Sequence, residues 1–240
     1  MSNTAEPDGG ASGGRLFPVY VFDAYGTLFD VHSAAARHAE TIGPQWQQMS
    51  QVWRQKHLEY TWIYAQTGRH CSFWSLTQAS LDTAIATIGG GVSTETRAAL
   101  LDAYRSLSAY EEVAEVLTAL CSAGAKCAIL TNGDPAMIDA AIDSAGLTGK
   151  LDAVLTVHDI GVFKPDQRVY RLVCDRFACT PDDVSFQSSN RWDAVGANVF
   201  GFKTLWVNRS GAPAEYPETP PNRTAANLRV LLDDVAHAAG

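Results

Sequence analysis

Residues 19–33 read VYVFDAYGTLFDVHS and place an acidic side chain where a nucleophile would be useful. The first four residues form an unbroken apolar run, which is typical of a strand buried on both faces of a parallel sheet. Asp23 follows directly and would lie at the carboxyl edge of the sheet, where open α/β folds bind ligands. Gly26 and Thr27 allow a sharp turn that brings backbone N–H groups toward whatever Asp23 attacks. Taken alone, the same residues are also compatible with an ordinary turn.

A second polar group follows the segment KCAILT, which is typical of a buried strand. Thr131, Asn132 and Gly133 lie at its carboxyl end, and Asp134 followed by Pro135 is a helix-start signal. The free backbone N–H groups of that helix would point back at the same corner of the sheet. A plain turn is the alternative for TNGDP alone.

The elements that must position these groups suggest an α/β protein. From residue 110 onward, helical and strand patterns alternate, which is typical of a doubly wound sheet. Residues 32–110 show helical spacing without strand alternation, and Ser33 is expected to cap their first helix. We therefore predict a doubly wound, Rossmann-like parallel-sheet core at residues 15–31 and 111–240, with an inserted α-helical cap domain at 32–110. Residues 1–14 are small, polar and glycine-rich, so we expect a disordered leader.

Composition limits the classes of partner. The 240 residues are 46% hydrophobic and carry a formal net charge of −8, which disfavours nucleic-acid and anionic-membrane partners. No apolar run approaches the roughly 20 residues that span a bilayer, and no signal peptide is evident, so we expect a cytoplasmic protein without a membrane partner. The five cysteines form no C-x-x-C pair and the six histidines show no metal-ligand spacing. We assign no metal site and leave the histidines without a role.

The segment FDAYGTL resembles the first motif of the haloacid dehalogenase superfamily, whose nucleophile is the first Asp, here Asp23. In the phosphatases of that superfamily a second Asp, two residues on, protonates the leaving group. Tyr25 stands at that position, and a phenol with a pKa of about 10 is a poor proton donor near neutral pH. The longer segment DAYGTLFDVHS resembles the L-2-haloacid dehalogenase branch, in which the leaving group is a halide ion and needs no proton.

Three later segments resemble further motifs of the same family. TNG at 131–133 resembles the second motif, and the lysine of KPD, Lys164, resembles the third-motif lysine that would balance the charge of Asp23. WRQKHLEYTW resembles the segment whose arginine, here Arg54, reaches over the catalytic carboxylate. SSNRWD resembles the fourth motif, but neutral residues replace an early Asp of magnesium-dependent members and only Asp193 remains. Fewer charged oxygen ligands weaken a magnesium site.

The resemblance implies two sets of site residues. The catalytic set is Asp23, Thr27, Arg54, Lys164, Tyr170, Ser188, Asn190 and Asp193. The substrate-binding set is Tyr25, Arg54, Gln55, Leu58, Phe73, Thr131, Asn132 and Trp192. Ordinary cap packing is an equally good explanation for Phe73.

The resemblance also implies a reaction. Asp23 would displace the halide from C2 of a short L-2-haloalkanoate, and water would hydrolyse the resulting aspartyl ester to give a D-2-hydroxy acid. Asp193, held by Lys164, Ser188 or Asn190, would orient or deprotonate the water, with a water chain as the alternative. The groups expected to stabilise the halide are Arg54, Asn132 and Trp192, and those expected to orient the substrate carboxylate are Thr131 and Ser188.

The partners implied by the resemblance are a small 2-haloacid, a halide ion and water, without a metal or cofactor. It also implies a homodimer formed through cap helices. Two alternatives stay open: a magnesium-dependent phosphatase on the same scaffold, and a catalytically silent binding module that kept the fold.

Overall fold

The computed structural model describes residues 15–238, so the leader expected at residues 1–14 lies outside the described residues. Its main sheet has the strand order β3-β2-β1-β4-β5-β6, with every neighbouring pair parallel. The strands are β1 Val19–Phe22, β2 Lys126–Thr131, β3 Ala153–Thr156, β4 Val184–Ser188, β5 Lys203–Val207 and β6 Arg223–Ala225.

Helices connect the strands and form two groups. The five between β1 and β2 are α1 Ser33–Ala36, α2 Ala39–Ile42, α3 Trp46–Gln66, α4 Phe73–Thr87 and α5 Thr94–Arg105. The five that follow are α6 Val113–Ser122, α7 Pro135–Ser144, α8 Gln167–Phe177, α9 Arg191–Phe200 and α10 Leu231–Ala238. This arrangement confirms the predicted fold class, a doubly wound parallel sheet with an inserted helical cap.

The central strands β1, β2 and β4 bring the polar strand ends together. Phe22, the last residue of β1, lies opposite Ile129 of β2 and Gln187 of β4. All four residues of β1 are buried, as expected for a strand covered on both faces. Because parallel strands end at the same edge of the sheet, Asp23, Thr131 and Ser188 face one region.

The helix α3 carries much of the cap and packs chiefly against α4. Five apolar residues of this helix recur at intervals of three, four or seven, a spacing that predicts one apolar stripe. The stripe is only partly buried: Met49 and Trp53 are buried, whereas Trp46, Tyr60 and Tyr64 are half-buried. No helix among residues 15–238 has both the length and the apolar character needed to cross a bilayer.

Two local expectations were wrong. Ser33 is the first residue of α1 and not its cap, because its hydroxyl donates to the Asp30 carbonyl at 2.7 Å. The proline-rich segment GAPAEYPETPPNRT at 211–224 is expected to form a loop before the last helix, but its end belongs to the edge strand β6, which pairs with β5. Three mostly polar residues carry no hydrophobic alternation, so the sequence pattern could not reveal this strand.

Candidate active site

The carboxylate of Asp23 lies at the end of β1, in contact with donors from three other segments. Its Oδ2 atom accepts hydrogen bonds from Asn190 Nδ2 at 2.7 Å, Thr27 Oγ1 at 3.1 Å and Ser188 Oγ at 3.4 Å. Its Oδ1 atom accepts one from Lys164 Nζ at 3.1 Å. Only 6% of Asp23 is exposed, so these protein donors determine the direction in which the carboxylate points.

Lys164 is fully buried between two carboxylates. Its Nζ atom lies 3.1 Å from Asp23 Oδ1 and 2.9 Å from Asp193 Oδ2. Burial alone would lower the pKa of Lys164, but the attraction of Asp193 and Asp23 outweighs it and leaves that pKa above its ordinary value. The ammonium is therefore charged at neutral pH and balances the charge of the Asp23 carboxylate.

Asp193 lies behind Lys164 and is fixed by Tyr170. The Tyr170 hydroxyl donates to Asp193 Oδ1 at 2.7 Å. Burial raises the pKa of the Asp193 carboxyl, and the negative charge of Asp23 adds to this effect against the opposing Lys164. Gly196 makes the arrangement possible, because a Cβ atom there would collide with the Tyr170 hydroxyl.

The partners of Asp193 and Asp23 differ in part from the expected ones. Of the three residues expected to hold Asp193, Lys164 does so, whereas Ser188 and Asn190 donate to Asp23. The reason is their position at the carboxyl end of β4, where Ser188 is the last strand residue and Asn190 follows in the loop, beside the end of β1.

Arg54 extends from α3 to the loop that follows Asp23. Its Nη2 atom donates to the Tyr25 carbonyl and to Asn190 Oδ1, both at 3.0 Å. Gly26 lies below it with φ of +92°, a conformation that L side chains rarely adopt. A guanidinium from the cap thus joins the same polar network as the Asp23 carboxylate.

The same network occupies oxygen atoms that a cation would need. Asn190 Nδ2 donates both to Asp23 Oδ2 and, at 3.2 Å, to the Tyr25 carbonyl. The space between Asp23 and Asp193 is filled by the Lys164 ammonium. Hydrogen-bond donors therefore stand where the oxygen-rich cage of a hard cation would require free acceptors.

Aromatic rings form one wall of the site. The Tyr25 ring packs on Phe73 with centroids 5.3 Å apart and is stacked on Tyr104 at 5.8 Å. Burial raises the pKa of Tyr25 well above its ordinary value, and its hydroxyl has no hydrogen-bond partner among residues 15–238. The phenol at the position of the phosphatase acid is thus an even weaker proton donor than free tyrosine.

The second-motif residues are placed at the site in different ways. The Thr131 hydroxyl accepts a hydrogen bond from Gly133 N at 3.0 Å. The Asn132 side-chain oxygen accepts one from the backbone N–H of Lys164 at 2.9 Å. Asn132 therefore fixes the segment that carries the lysine, a role that the sequence motif did not reveal.

The remaining expected residues are Gln55 and Leu58 of α3 and Trp192 of α9. Trp192 packs edge-on against Trp62, with ring centroids 5.5 Å apart. Trp192 and Leu58 line a cleft of about 460 Å³ that also contacts Arg54. Gln55 is exposed and is not among the residues that line this cleft, because the turn of α3 directs it outward.

His57 supports the aromatic wall, although the sequence analysis gave it no role. Its ring packs 4.2 Å from that of Phe73, and its Nε2 atom lies 3.2 Å from Thr77 Oγ1. Burial and the nearby Arg54 lower the pKa of His57 to about 3, so it is neutral at pH 7. Its position four residues after Trp53, on the buried face of α3, was the available signal.

Asp134 links the core to the cap. It precedes α7 but does not cap it, and its two carboxylate oxygens accept from the backbone N–H groups of Phe73 at 3.1 Å and Trp74 at 2.8 Å. These are free N–H groups in the first turn of α4. A core carboxylate thus caps a cap-domain helix and places Phe73 against Tyr25.

Replacing Asp134 by Ala should destabilise the protein by about 1 kcal/mol, the usual cost of a lost helix cap, and should raise KM by loosening the Phe73 wall. Asp134→Asn keeps one acceptor oxygen, so its stability and its KM should lie between those of the parent and those of Asp134→Ala. Thermal unfolding and steady-state kinetics measure both effects. The matched control is Asp139→Ala, which removes an exposed carboxylate from α7; equal behaviour of Asp134→Ala and this control would contradict the linking role.

The geometry suits nucleophilic substitution by a carboxylate. Asp23 is oriented by fixed donors, and its charge is balanced by Lys164. The guanidinium of Arg54 lies beside the loop after Asp23, where its positive charge would attract a departing anion. Asp193, with its raised pKa, lies next to the lysine as a candidate to orient or deprotonate water. A covalent ester at Asp23 divides the reaction into two easier steps.

Comparisons with known proteins agree with this geometry. Residues 17–201 match the model of the haloacid dehalogenase-like hydrolases. The chain is 44% identical to (S)-2-haloacid dehalogenase 1 of Pseudomonas sp. (strain CBS-3), over 88% of this chain and 93% of the relative. It is also 44% identical to (S)-2-haloacid dehalogenase 4A of Burkholderia cepacia, over 88% and 91% of the two chains.

A solved structure extends the comparison. The L-2-haloacid dehalogenase of Xanthobacter autotrophicus with chloropropionic acid covalently bound superposes with a TM-score of 0.83 and 35% identity, covering 93% of this chain and all of the other. Matches of this extent in sequence and fold, together with the ordered motifs around Asp23, establish the relationship. The chain belongs to the haloacid dehalogenase-like hydrolases, in the branch of the (S)-2-haloacid dehalogenases.

Proposed function

We propose that this protein hydrolyses short L-2-haloalkanoic acids to D-2-hydroxy acids through an aspartyl-ester intermediate. The observation that carries the proposal is the buried Tyr25 at the position of the phosphatase acid: its raised pKa means that the phenol holds its proton too tightly to donate it to a leaving group. A halide departs as a stable anion and needs none. The names of the relatives support the same substrate class.

In the first step, Asp23 attacks C2 from the side opposite the halogen. Arg54, Asn132 and Trp192 stabilise the charge that develops on the halide, the stage at which fixed donors lower a barrier most. Thr131, Ser188 and nearby backbone N–H groups orient the substrate carboxylate, which reduces the entropic part of the barrier. The hydrogen bonds of Arg54 to Asn190 and of Ser188 to Asp23 support this assignment, because both donors lie beside the nucleophile.

In the second step, water attacks the carbonyl carbon of the Asp23 ester. Asp193 orients or deprotonates this water, supported by its contacts with Lys164 and Tyr170. Displacement inverts C2, whereas ester hydrolysis leaves C2 untouched. An L-substrate therefore gives a D-product.

The domain limits, compartment and assembly belong to the same proposal. Residues 32–110 form the cap and residues 15–31 and 111–240 the catalytic core, in a cytoplasmic protein. We also propose that two copies pair through cap helices.

Halide release from the two enantiomers of 2-chloropropionate tests the function. The L-enantiomer should give one chloride and one D-lactate per turnover, the D-enantiomer little of either, and EDTA should change neither result. Loss of activity with EDTA, together with phosphate-ester hydrolysis, would favour the magnesium phosphatase instead. No halide from any haloacid, with unchanged ligand affinity in Asp23→Asn, would favour a silent binding module.

A further inference from the structure

The cleft beside Arg54 contains two cations that the proposed reaction does not use, Arg191 and Arg209, next to two residues that it does use, Arg54 and Trp192. It opens where the loops after β4 and β5 meet α3, and its volume is about 460 Å³. Arg54, Arg191, Trp192 and Arg209 line it, and these four residues define what we call the arginine cleft. A pocket of this size accommodates ligands far larger than a short haloacid, so the cleft exceeds what the chemical step needs.

Unpartnered donors concentrate at this cleft. Five buried side-chain polar atoms within residues 15–238 have no hydrogen-bond partner, and three of them are nitrogen donors of cleft residues: Arg191 Nη1, Trp192 Nε1 and Arg209 Nε. A buried donor that is left unpaired has lost its hydrogen bonds to water without replacement, which is unfavourable. Three such donors on adjoining residues point to acceptors supplied from outside the chain.

Arg191 is also a buried cation without an opposing carboxylate. Only 5% of it is exposed, and its Nη2 atom donates to the carbonyls of Tyr216 and Thr219. Among the described residues no Asp or Glu oxygen lies within ion-pair distance of Arg191, whereas Arg209 is paired with Glu112 at 2.7 Å. The carboxylate that lines the cleft belongs to the exposed Glu215.

We propose that the arginine cleft is a vestibule that binds the carboxylate of an incoming 2-haloacid, with Arg191 as the residue that selects for anions. The inference rests on the proposed function and adds an entry site to it. A chain with a net charge of −8 repels anionic substrates, and a cationic cleft raises their local concentration. Arg54 contacts both the cleft and the Asn190 amide beside Asp23, so a bound anion lies next to the reaction centre.

Kinetics of Arg191 variants test the vestibule. In Arg191→Gln, KM for L-2-chloropropionate should rise roughly three- to tenfold at low ionic strength while kcat stays within about twofold, and the rise should shrink with added salt. Arg191→Lys keeps the charge and should stay near the parent. Arg171→Gln removes an exposed cation from the outer part of α8 and controls for net charge. An unchanged KM in Arg191→Gln, or equal increases in the Gln and Lys variants, would overturn the proposal.

A binding measurement separates the vestibule from the function. Tryptophan fluorescence is titrated with sodium propionate, a carboxylate that cannot react, because Trp192 and Trp206 line the cleft. The parent should respond and Arg191→Gln should respond at severalfold higher concentration, even if the parent releases no halide. A parallel arm soaks crystals in sodium bromide or propionate: density beside Arg191 for propionate supports the carboxylate site, whereas bromide alone there would assign it to the halide and overturn the proposal.

Discussion

Asp23→Asn should abolish halide release, with a loss of at least about 10⁴-fold in kcat, as for other enzymes that lose their nucleophile. The amide cannot form the ester, although it has the size of the carboxylate and can still accept from Thr27 and Ser188. The amide nitrogen then faces the Lys164 ammonium, which keeps Asp193 as its partner. The variant should therefore unfold at a lower temperature than the parent but still cooperatively, so a chemical defect can be separated from a folding defect. A variant that retains measurable turnover would show that Asp23 is not the attacking group.

The same residue permits a direct test of covalency. In a single turnover with excess enzyme in ¹⁸O-labelled water, the label should enter the Asp23 carboxylate first, because water attacks the ester carbonyl and not C2. The hydroxy acid from that turnover should be unlabelled. Label appearing directly in the product would mean that water displaces the halide itself.

Lys164→Met should have the second largest effect. The substitution leaves the buried carboxylates of Asp23 and Asp193 without their shared cation. Removing one partner of a buried ion pair costs about 3–5 kcal/mol, and the rate should fall by at least about 100-fold because the nucleophile loses its balancing charge. Chemical denaturation and halide release measure the two losses. The exposed Lys126→Met should change stability by no more than about 0.5 kcal/mol.

The pH dependence of that stability has a definite sign. The folded-state pKa of Lys164 lies above its ordinary value, so its contribution is fully present below the unfolded value of about 10.4 and is lost as pH rises through the folded value. The stability difference between the parent and Lys164→Met should therefore persist at pH 9 and shrink only at higher pH. A difference that disappears between pH 6 and 8 would contradict this view of the ion pair.

The sequence predicted the parts of the molecule that depend on local pattern. Buried apolar runs located β1 and β2, and the polar residues at their ends converge at one edge because parallel strands share a direction. Motif resemblance singled out Lys164, which donates to Asp23, and Arg54 of α3, which donates to the Tyr25 carbonyl in the loop after Asp23.

Local sequence patterns could not predict contacts between segments that lie far apart in the chain. Asp134 was expected to begin α7, and nothing local shows that its carboxylate caps α4. Arg191 was not singled out, since its burial depends on the loop at 216–219 that folds over it. The resemblance left Lys164, Ser188 and Asn190 as alternatives for holding Asp193, because neighbouring carboxylates cannot be told apart without coordinates; Lys164 is the one in contact with it.

The capping of α4 by Asp134 also bears on synthesis at the ribosome. The acceptor lies 61 residues after Phe73 in the chain, so the first turn of that helix emerges long before the carboxylate that completes it exists. Phe73 can therefore reach its final position against Tyr25 only after β2 and the turn that carries Asp134 have been synthesised. The inserted domain is thus finished by a segment translated after it, and maturation of the catalytic pocket is coupled to the order in which the polypeptide is produced.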